Sequence, residues 1–266
     1  GWIGVECFFV LSGYLITSLL ISEYDGNGRI DLLAFWRRRA RRLLPALFLL
    51  LGVIAVYSRV VADATELSTI RRDVLGALTY TSNWLAINGG GGYWQHFAFP
   101  SPLRHMWSLA VEEQFYLFYP LLAIVLLRSK RARTIAVPAL AVAALAWQLW
   151  MTNHASLDRF YLGTDTRAFG ILVGATVAVV PAAAWRRLAR WASPIALLGV
   201  FAAALTLSGT TLATFHGPFQ LATLAAGVTL LGVRPGVGEP IVRVLSQPWL
   251  VTVGKWSYGI YLVHWP

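Results

Sequence analysis

Apolar residues gather into eight runs of roughly spanning length: 3–22, 43–62, 107–127, 134–151, 165–184, 191–212, 216–233 and 249–266. About 20 apolar residues rising 1.5 Å each match a hydrocarbon core roughly 30 Å thick, so each run predicts a membrane helix. A ninth run, 74–88, is shorter and carries Thr79, Tyr80, Thr81, Ser82 and Asn83. The connections are basic at 29–42, 128–133, 186–190 and 234–243. Elsewhere they are poorer in positive charge or balanced by acids, as at 63–73, where Asp63, Glu66 and Asp73 offset Arg71 and Arg72. Basic loops stay cytoplasmic. A full crossing by 74–88 would put 29–42 and 128–133 on opposite sides, whereas a segment that dips in and returns leaves every basic loop on one side. We therefore expect 74–88 to be re-entrant or half-crossing, which is tolerated where protein buries the backbone. The Gly89–Gly92 run and the aromatic loop 93–106 then face outward. The predicted fold is all-α: a polytopic transmembrane helix bundle of about eight full spans plus a re-entrant or short helix at 74–88.

Composition agrees. Hydrophobic residues make up 57% and charged residues 13%, with mean hydropathy +0.61, against about 45–50% and 25% in soluble domains. The net charge of +10 would suit nucleic acid, but the cations sit in short blocks between apolar runs, so they report topology and the partner is a lipid bilayer. A single cysteine, Cys7, excludes an internal disulfide and a cysteine-built metal site. The histidines have no metal-ligand spacing, Gly89–Gly92 lacks the Gly-Lys-Ser/Thr of a phosphate loop, and no Gly-x-Ser-x-Gly elbow is present. Gly1 in place of Met, and Pro266 inside an apolar run, suggest one domain over 1–266 cut at both ends from a longer chain.

The chemistry concentrates in Phe99–Pro120, where a Pro-punctuated loop becomes an apolar helix containing Glu112 and Glu113. At 100° per residue, His105, Ser108, Glu112 and Tyr116 share one stripe, with Glu113 beside it. A charge at a membrane helix centre costs about 2.5–3.5 kcal/mol on insertion scales, which points to use of the acids. The alternative is a pair of acids neutralised by arginine to hold helices together. Arg37-Arg-Arg-Ala-Arg-Arg42 serves either as a lipid-anchoring stop block or as a cradle for a polyanionic ligand. Asp165 fits helix capping, Arg167 stays open between packing and an outward pocket, and Ser12-Gly13 fits close helix packing. His264 on the last helix fits local satisfaction better than catalysis.

Four stretches in this order resemble the acyltransferase-3 family of integral membrane O-acyltransferases: 4–17, with Phe8-Phe-Val-Leu-Ser-Gly13; Phe35-Trp-Arg-Arg-Arg-Ala-Arg-Arg-Leu-Leu-Pro45; 102–116, with His105-Met-Trp-Ser and Glu112-Glu-Gln; and Ser257-Tyr-Gly-Ile-Tyr-Leu-Val-His-Trp-Pro266. The resemblance implies transfer of an acyl group, acetyl in the common case, from cytosolic acyl-CoA to a hydroxyl of a glycan, glycolipid or secreted small molecule in a bacterial inner or plasma membrane. Acyl-CoA is a co-substrate and no permanently bound cofactor is implied. Carried onto this chain, Arg38, Arg39 and Arg42 bind donor phosphates and Glu112 and Glu113 fall on the family's paired acids; His105 is a further catalytic candidate from the helix stripe. Trp107, Tyr116, Asp165 and Arg167 are our own candidates for the acceptor side. The family's first helix, with an Arg and a His central to transfer, would precede Gly1, and a further helix would follow Pro266. A proton-coupled transporter, with the acids as relay, is the alternative.

Overall fold

The computed structural model describes residues 2–89, 101–209 and 211–264. Residues 90–100, with most of the glycine run, part of the aromatic loop and His96, lie outside the described residues, as do Trp265 and Pro266. The elements are α1 (Trp2–Asn27), α2 (Leu32–Val60), α3 (Ala64–Thr79), α4 (Ser82–Asn88), α5 (Met106–Leu126), α6 (Lys130–His154), α7 (Leu157–Leu162), α8 (Thr164–Val179), α9 (Ala182–Thr206), α10 (Leu212–Phe215), α11 (Pro218–Val233), α12 (Glu239–Leu245) and α13 (Pro248–Val263). No strand occurs among the described residues. The protein is a helical membrane bundle. Among the described residues six stretches are long and apolar enough to cross a bilayer: α1, α2, α5, α6, the α7–α8 run Leu157–Val179, and Trp185–Thr206 within α9. Of the eight expected spans, the remaining two are the 16-residue helices α11 and α13, about 24 Å long at 1.5 Å per residue.

Helix starts follow from local chemistry. Asp31, Ser129 and Ser156 each accept a hydrogen bond from the backbone N–H three residues on, satisfying donors that no helix can pair internally.

The ninth run proves to be two elements. Residues 63–73, read as a connection, are largely helical because Leu67, Ile70, Val74 and Ala77 form a 3–4–3 stripe, with Ile70 and Ala77 packed in one core cluster with Leu47, Leu50 and Ile54 of α2. The acids and arginines interleaved with that stripe mask it in a hydropathy reading. The helix stops at Tyr80, which adopts left-handed φ 53°, ψ 40°, a conformation costly for a side chain with Cβ. Helix α4 then returns beside α3: Gly76 lies against Ser82 and Leu85, and Gly89 against Arg72. The chain thus doubles back at Tyr80 into a helical hairpin.

With that hairpin in place, the basic connections gather at one end of the bundle. Arg133 at the start of α6 grips Asp25 at the end of α1 through two bonds of 3.0 and 2.9 Å. Arg38 pairs with Glu23 at 2.9 Å. Arg234 donates to the Val177 and Val180 carbonyls, closing the C-terminus of α8. At the centre α1 and α8 touch backbone to backbone. A β-carbon on Gly13 would strike the Ile171 carbonyl, and one on Gly174 the Val10 carbonyl. This is the small-residue contact expected of membrane helices. Leu49, Val53 and Val56 of α2 and Ile195, Leu198 and Leu205 of α9 point outward, as a bilayer-facing surface should.

Candidate functional site

Helix α5 presents the stripe anticipated for it. Glu112 is buried. It accepts a hydrogen bond of 2.8 Å from Ser12 Oγ and another from the Tyr116 hydroxyl one turn on. The Arg39 guanidinium lies 4.2 Å from the centroid of the Tyr116 ring. A cation on an aromatic face is favourable, the more so when partly desolvated. Arg39 and Arg42 are the cations whose charge acts on Glu112. Glu113 turns to the side, toward Tyr80, Tyr258 and Arg39. Its Oε1 is buried with no hydrogen-bond partner.

Two local features fix this geometry. Pro120 has no N–H to give the Tyr116 carbonyl four residues earlier; instead the Trp36 indole donates to that oxygen at 3.1 Å. The arginine block is thereby pinned to α5 beside the acids. Second, Gln114 ties down the hairpin tip. Its Nε2 donates to the Tyr80 carbonyl at 2.6 Å and to Asn83 at 3.0 Å, while its Oε1 accepts from Thr164 at 2.6 Å. Asn83 in turn donates to the Leu162 carbonyl at 3.0 Å. Two interrupted helical stretches, α3–α4 and α7–α8, so meet at one side-chain network next to Glu113.

A second cluster lies between α1, α8 and α11. Arg167 is fully buried, pairs with Glu6 at 3.0 Å and donates to the Tyr161 carbonyl at 2.7 Å. The rings of Tyr161, Phe219 and Trp107 surround its guanidinium at 4.2, 5.0 and 5.6 Å. Thr223 donates to the other Glu6 oxygen at 3.0 Å. Arg167 Nη2 alone lacks a partner.

The third cluster closes the end opposite the arginine block. His105 precedes α5 and is buried, with neither ring nitrogen hydrogen-bonded. Burial, and after it the charge of His264, pushes its imidazole down to about 4, so it is neutral near pH 7. Its ring stands edge-to-face with Tyr261 and with His264, each at 5.5 Å. The Tyr261 hydroxyl bonds to Ser108 and donates to the His105 carbonyl at 2.7 Å.

Of the residues singled out in the sequence, Arg39, Glu112 and Tyr116 come together directly. Arg42 acts on Glu112 by charge from an exposed position. Arg38 is spent on Glu23, half-exposed. Trp107 and Arg167 meet in the second cluster. Asp165 stands apart, holding Arg159 through two 2.8 Å bonds and accepting from Trp147; it lies in the first turn of α8, where Gly163 is the cap. Sequence reasoning missed Glu6, although an acid within an apolar run is the signal that flagged Glu112. It read Ser12 as packing alone, and it had no signal for Gln114. Among the described residues no group of His, Cys, Asp or Glu could hold a metal ion.

The fold thus defines a helical membrane protein with Glu112 buried in reach of the arginine block and His105 buried at the opposite end. The family model described as "Acyltransferase domain" matches residues 1–266, and the chain belongs to that acyltransferase-3 family. It is 35% identical over 278 residues to "O-acetyltransferase OatA" of Staphylococcus aureus (strain NCTC 8325 / PS 47), which covers 100% of this chain and 46% of the relative. It is 34% identical over 282 residues to "Peptidoglycan O-acetyltransferase OatA" of Listeria monocytogenes serovar 1/2a (strain ATCC BAA-679 / EGD-e), covering 100% of this chain and 44% of that protein. The chain thus spans about half the length of these curated relatives. No solved structure matches.

Proposed function

We propose that this domain moves an acyl group, acetyl by its likeness to the OatA proteins, from acyl-CoA on the cytoplasmic side to a hydroxyl of a cell-surface glycan, with the basic connections cytoplasmic. The observation that carries the reading is the unbroken line from Arg39 through Tyr116 to Glu112 and Ser12, which joins the anion-attracting end of the bundle to a buried acid. Arg39 and Arg42, with Arg38 at the rim, receive the donor's phosphates, since guanidinium forks match phosphate oxygens. Tyr116 and Ser12 fix the Glu112 carboxyl. Glu113 keeps an unpartnered oxygen for a donor group of the reactants.

At the opposite end the acceptor hydroxyl needs a base, because a neutral alcohol is a weak nucleophile. The family's histidine, on a helix that would precede Gly1, is the base this reading uses, and His105, on the same face of α5 as Glu112, lies on the acceptor side. Trp107 and the Arg167 cluster shape the wall beside it, with Asp165 farther out. The acceptor oxygen bonds to the acyl carbon, the C–S bond breaks, and the products are an ester and a thiol.

The meeting of α3–α4 with α7–α8 supports a second reading, a proton-coupled permease, because transporters build sites at interrupted helices. The two readings part on the donor. In the full-length protein acetyl-CoA should raise the unfolding temperature, as any ligand of the folded state alone must, and Arg39→Ala should remove most of that shift. Glu112→Gln and Glu113→Gln should each abolish glycan acetylation with membrane insertion intact. An unchanged donor response in Arg39→Ala returns the block to lipid anchoring. Full transfer in both single glutamine variants removes the acids from the chemistry.

A further inference from the structure

Gln114 follows the two acids on α5 and joins three segments of chain. Its Nε2 donates to the Tyr80 carbonyl at 2.6 Å and to Asn83 Oδ1 at 3.0 Å. Its Oε1 accepts from the Thr164 hydroxyl at 2.6 Å and from the Trp84 indole at 3.3 Å. A backbone carbonyl can only accept and an indole N–H can only donate, so these partners fix which way round the amide lies. A carboxylate at this position would lose both donated bonds, and a lysine or arginine both accepted ones.

Tyr80 is the residue this amide holds. It ends α3 in the left-handed region, at φ 53° and ψ 40°, where a side chain with a β-carbon is strained. The turn's own bonds use N–H groups: those of Tyr80 and Thr81 both donate to the Gly76 carbonyl. The Tyr80 carbonyl is answered from outside the hairpin, by Gln114. Its ring packs against the cluster that holds Leu47 and Leu109, beside Glu113. One residue therefore gives its backbone to Gln114 and its ring to the neighbouring acid. Through Thr164 in the first turn of α8, and through Asn83, which donates to the Leu162 carbonyl, the same amide also holds the element that carries Arg167.

We infer that Gln114 is a positioning residue for acyl transfer: its amide keeps Tyr80 in the left-handed turn, and thereby keeps the Tyr80 ring against Glu113, shielding from water the acid whose Oε1 has no hydrogen-bond partner. The inference rests on the transferase reading. Gln114 touches no reactant and acts through Tyr80. Without the amide the turn loses the bond that offsets its strain, the hairpin relaxes, and Glu113 is left hydrated and free to change rotamer. A reacting group displaced by about 1 Å can cost about 10²-fold in rate, so a loosened tip is felt in the chemical step more than in binding.

The test uses the full-length protein in proteoliposomes, with acetyl-CoA as donor and isolated cell-wall glycan as acceptor, and reads both stabilisation by acetyl-CoA and acetyl transfer. Gln114→Met, which keeps the length and removes the amide, should keep the stabilisation and lose about 10- to 100-fold in kcat with a smaller change in acceptor KM. Thr164→Val removes a bond to the same amide but leaves the one to Tyr80, and should lose less than about threefold. Tyr80→Gly frees the turn of strain and takes away the ring, so it should lose transfer as Gln114→Met does. The double variant should then be no worse than Tyr80→Gly alone, because Gln114 acts through Tyr80. If Gln114→Met transfers within twofold of wild type, or its loss equals that of Thr164→Val, or the two losses multiply in the double variant, the positioning role is overturned while the transferase reading stands. If Gln114→Met loses the donor response as well, the amide is structural and the role is equally overturned. Should Gln114→Met fail to fold, Tyr80→Gly decides: transfer within twofold of wild type overturns the inference, and a tenfold loss with the donor response kept supports it. If the wild type itself shows no stabilisation by acetyl-CoA, the transferase reading fails and the inference with it.

Discussion

Replacing Trp36 by Phe should destabilise the bundle mainly through one carbonyl. In a straight helix the oxygen of Tyr116 would be bonded by the amide of residue 120, but Pro120 has none. The Trp36 indole is its donor, at 3.1 Å. Phenylalanine keeps most of the ring packing and removes that donor, leaving a polar group inside the bundle unpaired at a cost of about 1–3 kcal/mol. For a chain somewhat above 250 residues, 1 kcal/mol moves the melting point by about 2–4 °C, so Tm should fall by roughly 2–12 °C. The same substitution in a Pro120→Ala background should cost far less, because the backbone amide restored at position 120 can take over the carbonyl. The assay is thermal unfolding of the purified protein in detergent, followed by tryptophan fluorescence, for the four proteins of the double-mutant cycle. The reasoning predicts a coupling of about 1–2 kcal/mol between positions 36 and 120. Equal losses in both backgrounds would mean that the indole contributes only its bulk, and the account of how α2 is pinned beside the acids would fall.

Glu6→Ala should cost about 3–5 kcal/mol, since it leaves Arg167 charged and unpaired in the core; replacing both partners by apolar residues of similar volume should recover much of this, read as the yield of folded protein in detergent. Gly174→Leu should separate α1 from α8 and abolish the folded species in size-exclusion chromatography, whereas Gly4→Ala, with open space around its position, should leave the profile unchanged. Stability should also depend on pH through His105. Its native imidazole titrates near 4, below the unfolded value of about 6.5. Between those values the unfolded chain therefore holds the extra proton, and stability falls as pH drops, by at most about 1.4 kcal/mol per unit. A His105→Gln variant should show a shallower fall from about pH 6.5 to 4 in the same thermal assay; parallel curves would place the imidazole in water.

The spans were legible because the cost of exposing backbone and charge to hydrocarbon writes itself into long apolar runs. Charge placement likewise led us to expect the chain to double back near 74–88, where α3 and α4 form a hairpin about Tyr80. The stripe of His105, Ser108, Glu112 and Tyr116 followed from helical periodicity alone. What no one-dimensional pattern could supply was the distant partner of each buried group, for these lie 100, 80 and 217 residues away for Glu112, the Tyr116 carbonyl and Glu6. Ser12 meets Glu112, Trp36 meets the Tyr116 carbonyl and Thr223 meets Glu6. Helix α3 escaped detection because its polar residues dilute a stripe that becomes apolar only against α2. Asp165 and Arg167, two positions apart and grouped together in the sequence, fall on different sides of α8 and serve different neighbours. Periodicity fixes which face of a helix a residue occupies; only the packing of helix against helix decides what that face meets, and so which buried charges find a counter-ion and which are left open to a reactant.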